Sequence, residues 1–154
     1  MPNRHAAIPL LKHPLGWIAT GLGCGLMPKM PGTFASLVAL LPYCYFRSFS
    51  WPIVWGICLA VFLLGVVASE WAIKKTNQED PGFVVIDEWV GQWACLALAE
   101  AALRYFHPTT DLPPTWLLAL GFICFRLCDI AKPWPINWID RRIHGGLGAM
   151  LDDA

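Results

Sequence analysis

Apolar residues fall into four blocks along this chain, with turn formers and charges between them. The blocks are Phe34–Phe46, Trp51–Trp71, Val84–Phe106 and Thr115–Ile130. Pro31-Gly32 precedes the first block, the stretches Arg47–Pro52, Asn77–Gly82 and His107–Pro114 separate the others, and Pro133 and Pro135 follow the last. The pattern predicts four apolar helices. The second block is the clearest: residues 48–69 carry no charge, and about 20 apolar residues are enough to cross a bilayer. A buried helix of a soluble protein is the alternative, but such helices are rarely this long and apolar. The first block is short for a span and is read as either crossing the membrane or re-entering it. The predicted fold is therefore all-α: a single domain over residues 1–154, a small membrane helical bundle of about four apolar helices, with glycine-rich and proline-rich loops at one mouth.

Composition supports lipid as the solvent. The chain is 56% hydrophobic and 14% charged, where soluble domains carry about 25% charged residues. Too few polar groups remain to cover a water-facing surface. Net charge is formally zero, so no global basic field is available to attract nucleic acid. Arg4, His5, Lys12 and His13 open the chain, but no apolar stretch follows them in the manner of a cleavable signal peptide. The six cysteines form no C-x-x-C pair and read as small buried hydrophobes.

Charge distribution then gives an orientation. If the four blocks run up and down, residues 1–33, 72–87 and 126–154 share one side. That side holds Arg4, Lys12, Lys29, Lys74, Lys75, Arg126, Lys132, Arg141 and Arg142, nine of the eleven cations, and leaves Arg47 and Arg104 opposite. Only Glu100 and Asp111 among the acids fall on the far side. An excess of Lys and Arg marks the cytoplasmic side, so the charged mouth is expected to face the cytoplasm.

Three segments meet at that mouth. Gly21–Ser36 is rich in glycine, and Thr33 or Ser36 is placed to cap the next helix; free amides there favour an anion, although no P-loop pattern is present. The alternative is a glycine-rich turn feeding a capped helix. Asp87 and Glu88 stand where a helix enters apolar surroundings, between Ile86 and Trp89. Adjacent carboxylates there repel unless a cation joins them, and Mg²⁺ takes oxygen ligands shared with substrate phosphates; a pair of acids at a helix N-terminus is the plainer reading. Finally, Asp129 lies at i+3 from Arg126 and i−3 from Lys132, so all three can share a face, either as part of a site or as an ion-pair ladder. His144-Gly145-Gly146 reads as a flexible turn ahead of Asp152-Asp153.

Taken together, these segments resemble the phosphatidylglycerophosphatase A family of bacterial membrane phosphatases. The resemblance rests on P-G-T at Pro31–Thr33 with Ser36, V-I-D-E-W-V-G at Val85–Gly91, R-L-C-D-I-A-K-P-W-P at Arg126–Pro135, D-R-R-I-H-G-G-L-G at Asp140–Gly148, and Asp152-Asp153. It implies an all-helical fold and Mg²⁺-dependent hydrolysis of phosphatidylglycerophosphate to phosphatidylglycerol. It implies metal binding by Asp80, Asp87, Glu88, Asp129, Asp152 and Asp153, and phosphate binding by Thr33, Arg126, Lys132 and Arg141. Asp87, Glu88, Asp129 and Lys132 are the expected catalytic set. The expected partners are a phospholipid substrate and the membrane, with no nucleic acid; the sequence leaves the oligomeric state open. The D-x-D-x-T and C-x5-R patterns of other phosphatase classes are missing, which favours metal-assisted attack by water. Two other readings stay open: a lipid phosphatase of different specificity, such as for phosphatidic acid, and a small ion-transport protein whose acids line a path.

Overall fold

The computed structural model describes residues 7–78, 81–106, 114–131 and 145–151. Among them are six helices and no strand: α1 (Pro14–Ala19), α2 (Pro31–Phe46), α3 (Trp51–Thr76), α4 (Ile86–Phe106), α5 (Pro114–Ala131) and α6 (Gly145–Leu151). Each apolar block of the sequence is one helix, as expected. The boundaries differ where local chemistry overrides the pattern. Pro31-Gly32, read as a breaker, is the first turn of α2. Met30 turns the chain with a left-handed conformation (φ 50), and proline's fixed φ suits the first helical position. The short helix α1 was not anticipated; it starts at Pro14 and is capped by His13, whose Nδ1 accepts from the Leu15 amide at 3.2 Å.

Helix α4 is the centre of the bundle, packed against α2, α3, α5 and α6. Its buried residues lie all round its circumference and include Trp89, Val90, Trp93, Leu96 and Ala97. That distribution marks a core helix rather than an amphipathic one. Fully buried Ala35 and Ala39 let α2 approach α4 closely. The Trp93 indole crosses that contact and donates to the Ala39 carbonyl at 2.7 Å.

Helix α3 has the opposite character. Among the described residues it is the one helix long and apolar enough to cross a membrane, and α2 is a shorter apolar helix. The core helix of a soluble protein would be mostly buried, yet only 28% of the most apolar stretch of α3 is. Ile53, Leu59, Leu63, Leu64 and Val67 face outward, as do Trp116, Leu120, Ile123, Leu127 and Ile130 on α5. An exterior so apolar is unusual for a protein surrounded by water. The cysteines follow the same division: Cys24 and Cys58 are buried, but Cys44, Cys124 and Cys128 lie on the outer surface rather than in the core, as the sequence suggested.

Helix α6 lies against α3 so closely that only glycine fits. A Cβ on Gly146 would meet the Val66 carbonyl oxygen at 2.4 Å, and one on Gly65 would meet Met150 Sδ at 2.6 Å. Glu70 Oε2 accepts from the Gly146 amide at 2.8 Å. From Gly145 onward the expected flexible turn is therefore a helix.

At the far end, the two cations assigned to that side converge on one acid. Glu100 is buried; Arg47 Nε lies 2.6 Å from its Oε1 and Arg104 Nη2 lies 3.9 Å from its Oε2. The first pair ties the end of α2 to α4. Glu100→Ala is expected to destabilise the bundle by about 1–3 kcal/mol through the stranded, half-buried Arg47. An Arg47→Leu/Glu100→Leu double variant should recover most of that loss in thermal unfolding in detergent.

Candidate active site

Helices α2 and α4 run from the charged mouth into the bundle, and α5 runs back to it. The first turn of α2, the first turn of α4 and the last turns of α5 therefore converge. Each contributes residues from a different sequence motif: Gly32, Thr33 and Ser36; Asp87 and Glu88; Arg126 and Asp129.

Glu88 is the hub. It is 7% exposed, and its Oε2 accepts from Ser36 Oγ at 2.9 Å and from Arg126 Nη1 at 2.5 Å. The Ser36 hydroxyl also lies 2.9 Å from the Gly32 carbonyl, so its single proton serves one acceptor at a time. Arg126 Nη1 approaches Ser36 Oγ at 3.4 Å and pairs with Asp129 Oδ2 at 2.6 Å along its own helix. One guanidinium thus joins carboxylates from α4 and α5. Both partners are largely buried, with side-chain exposures of 15% for Arg126 and 12% for Asp129.

Gly32 makes the convergence possible. A Cβ there would sit 1.9 Å from Glu88 Oε1 and 3.7 Å from Arg126 Nη1, so the carboxylate packs directly on the α2 backbone. The upstream glycines do similar work: a Cβ on Gly25 would lie 1.9 Å from the Phe83 carbonyl oxygen, and the Val85 amide donates to the Ala19 carbonyl at 2.9 Å. This glycine-rich segment presses on the residues just before α4 and helps set where Asp87 and Glu88 begin.

A scan of family models matches residues 17–154 to "PgpA: Phosphatidylglycerophosphatase A". The chain belongs to the phosphatidylglycerophosphatase A family. A relative from Escherichia coli named phosphatidylglycerophosphatase A is 38% identical over 149 residues, covering 93% of this chain and 77% of its own. A second of the same name, from Haemophilus influenzae, is 33% identical over 94% of this chain and 82% of its own. A third, from Bacteroides thetaiotaomicron, is assigned provisionally as a phosphatidylinositol-3-phosphatase and is 33% identical over 89% of this chain and 82% of its own. No solved structure gives a significant match.

Of the residues expected from the sequence, the structure brings Glu88, Arg126 and Asp129 into direct contact, with Asp87 beside them in the first turn of α4. Thr33 lies half-buried in the first turn of α2. Neither Thr33 nor Ser36 caps that helix, contrary to expectation, because it already starts at Pro31 and both lie within it. Ser36 instead reaches across to Glu88. Asp80, Lys132, Arg141, Asp152 and Asp153 lie outside the described residues. Among the described residues, no group of three His, Cys, Asp or Glu side chains is arranged to hold a metal ion.

Sequence reasoning did not assign two roles. Gly32 was seen only as part of a motif, although the close approach of Glu88 is what requires it. Gln92, one turn along α4 from Glu88, is fully buried, and neither its Oε1 nor its Nε2 has a hydrogen-bond partner among the described residues. Its polar character inside an apolar run was the available signal.

Proposed function

We propose that this chain hydrolyses the terminal phosphate of phosphatidylglycerophosphate to give phosphatidylglycerol, in a Mg²⁺-dependent reaction. We further propose that it works as a multi-pass protein of the bacterial inner membrane with the site facing the cytoplasm. The observation that carries the reading is the Ser36–Glu88–Arg126–Asp129 cluster, assembled from three separate motifs of the family at one end of an apolar bundle. The two relatives named phosphatidylglycerophosphatase A support the substrate. The concentration of nine of eleven cations on the mouth side supports the orientation.

Charge and donor type support the metal. Asp87, Glu88 and Asp129 bring three carboxylates to the mouth, and Arg126 is the cation that pairs with two of them. Taken as ionised, these four groups sum to minus two. Oxygen-only donors with that excess suit a hard divalent cation shared with a phosphate. Glu88 and Asp129 are bridged by Arg126 and do not with Asp87 form a metal-holding group among the described residues, so Asp87, Glu88 and Asp129 would hold it only together with donors from Asp80, Asp152 or Asp153. Bound there, Mg²⁺ supplies Lewis-acid charge to the phosphoryl oxygens. Arg126 keeps Glu88 and Asp129 in place, and its remaining N–H donors are available to a phosphate. Thr33 offers a hydroxyl at the start of α2, where helix amides favour an anion. Water attacks phosphorus opposite the ester oxygen; the new P–O bond forms as the old one breaks, and the glycerol oxygen leaves as an alcohol after taking a proton.

The test is phosphate release by the detergent-purified protein, assayed with Mg²⁺ and after EDTA. Activity on phosphatidylglycerophosphate that falls to background with EDTA and returns with Mg²⁺ is expected; undiminished activity in EDTA would remove the metal. A second reading, a phosphatase for a different lipid head group, is favoured by the third relative. Running phosphatidic acid and phosphatidylinositol 3-phosphate in the same assay separates the two.

A further inference from the structure

An apolar groove of about 400 Å³ lies between α2 and α5, lined mainly by Leu37, Leu40, Leu118, Ala119, Phe122 and Ile123. We propose that this groove holds an acyl chain of the lipid whose phosphate is cleaved at the mouth, so that the enzyme reads the tail as well as the head of its substrate. The inference rests on the lipid phosphatase reading above and deepens it.

Continuity with the charged cluster identifies the occupant. On α2, Leu37 and Leu40 follow Thr33 at i+4 and i+7 and lie on its face. On α5, Ile123, Phe122 and Ala119 precede Arg126 at i−3, i−4 and i−7 and form the matching stripe. Both stripes thus end in polar residues of the candidate active site and run away from it into the bundle. A phospholipid phosphate has the same layout: an anionic end joined through glycerol to a long apolar chain. The α5 wall extends back to Thr115, about 12 Å of helix at 1.5 Å per residue. The groove is also open on one side, since Leu37 and Ile123 are 51% and 52% exposed, so a chain can enter sideways from the membrane.

Lipid tails around the protein are as apolar as the groove, so the contact adds little driving force for binding. Its contribution is orientation: a seated chain fixes the glycerol and therefore the phosphate against Arg126 and the carboxylates. The expected defect on blocking the groove therefore falls mainly on turnover.

Ala119→Trp and Leu37→Trp fill the groove from opposite walls and leave the charged cluster intact. Both variants and the wild type would be assayed in mixed micelles on dioleoyl phosphatidylglycerophosphate and, in parallel, on its water-soluble deacylated head group. The wild type is expected to turn over the dioleoyl lipid faster than the head group. Each variant should lose roughly tenfold or more in turnover on the lipid while matching the wild type on the head group. Wild-type rates on the lipid in both variants would overturn the proposal and leave the phosphatase reading standing. Equal losses on both substrates would also overturn it, because the groove would then support the fold or a contact with a second copy. No phosphate release by the wild type from either substrate would remove the phosphatase reading, and the groove assignment with it.

Discussion

Replacing Arg126 by methionine is expected to abolish phosphate release and to destabilise the protein by about 3–5 kcal/mol, the usual consequence of stranding a buried charge. Methionine keeps much of the length and apolar stem of arginine but removes the group that joins Glu88 to Asp129. Two carboxylates that are now 2.5 and 2.6 Å from the same nitrogen would face each other without a cation. Arg126→Lys should fall between the two: the charge remains, but both ion pairs are made by the one terminal nitrogen Nη1, and a lysine ammonium differs from it in reach and lacks the further donors of the planar guanidinium. The decisive control is the triple variant Arg126→Met, Glu88→Gln, Asp129→Asn. Removing all three charges should restore most of the stability, since replacing a whole buried ionic group is often nearly neutral, while activity stays at background. Thermal unfolding in detergent and phosphate release measured on the same preparations separate the two effects. An Arg126→Met protein as stable and active as the wild type would show that the cluster carries neither role.

The helices were legible because their cause is local. Blocks of apolar residues between prolines, glycines and charges determine both that a helix forms and roughly where it ends, and all four are present. What failed was chemistry at single positions. Pro31-Gly32 was read as a breaker, although a proline just inside a helix is favourable. Gly145-Gly146 was read as a turn, although those glycines accept the backbone of α3 at distances no side chain allows.

The candidate site was half legible, for a related reason. Carboxylates beside tryptophan and an arginine inside an apolar run are costly in lipid, so Asp87, Glu88, Arg126 and Asp129 were visible as anomalies. That Arg126 and Asp129 pair on one helix follows from their spacing. That Glu88 joins them depends on α5 packing against α4, and the role of Ser36 depends on α2 packing there too. A serine in the second turn of a helix looks like a cap or a filler until a carboxylate 52 positions later in the chain is found 2.9 Å away.

Gly32→Ala tests that geometry with opposing effects of known sign. In an ordinary helix the change is favourable by roughly 0.5–1 kcal/mol, because alanine loses less backbone entropy on folding than glycine. Here the new Cβ would fall 1.9 Å from Glu88 Oε1 and 2.9 Å from Glu88 Cδ. A flexible carboxylate could retreat, but this one is held by Arg126 and Ser36 and is almost fully buried. Moving it breaks both contacts, and weakening a buried charge pair outweighs the helix gain, for an expected net loss of about 2–4 kcal/mol. Displacing a catalytic group by about 1 Å can reduce turnover about 10²-fold, so activity should fall by a comparable factor even where the protein remains folded. Glu88→Asp placed on the Gly32→Ala background shortens the side chain by one methylene and relieves the overlap. Part of the lost stability should return, with less of the activity, because the shorter carboxylate also withdraws from Arg126. A Gly32→Ala protein with a raised melting temperature and full phosphate release would show that Glu88 does not rest on the α2 backbone in the working enzyme.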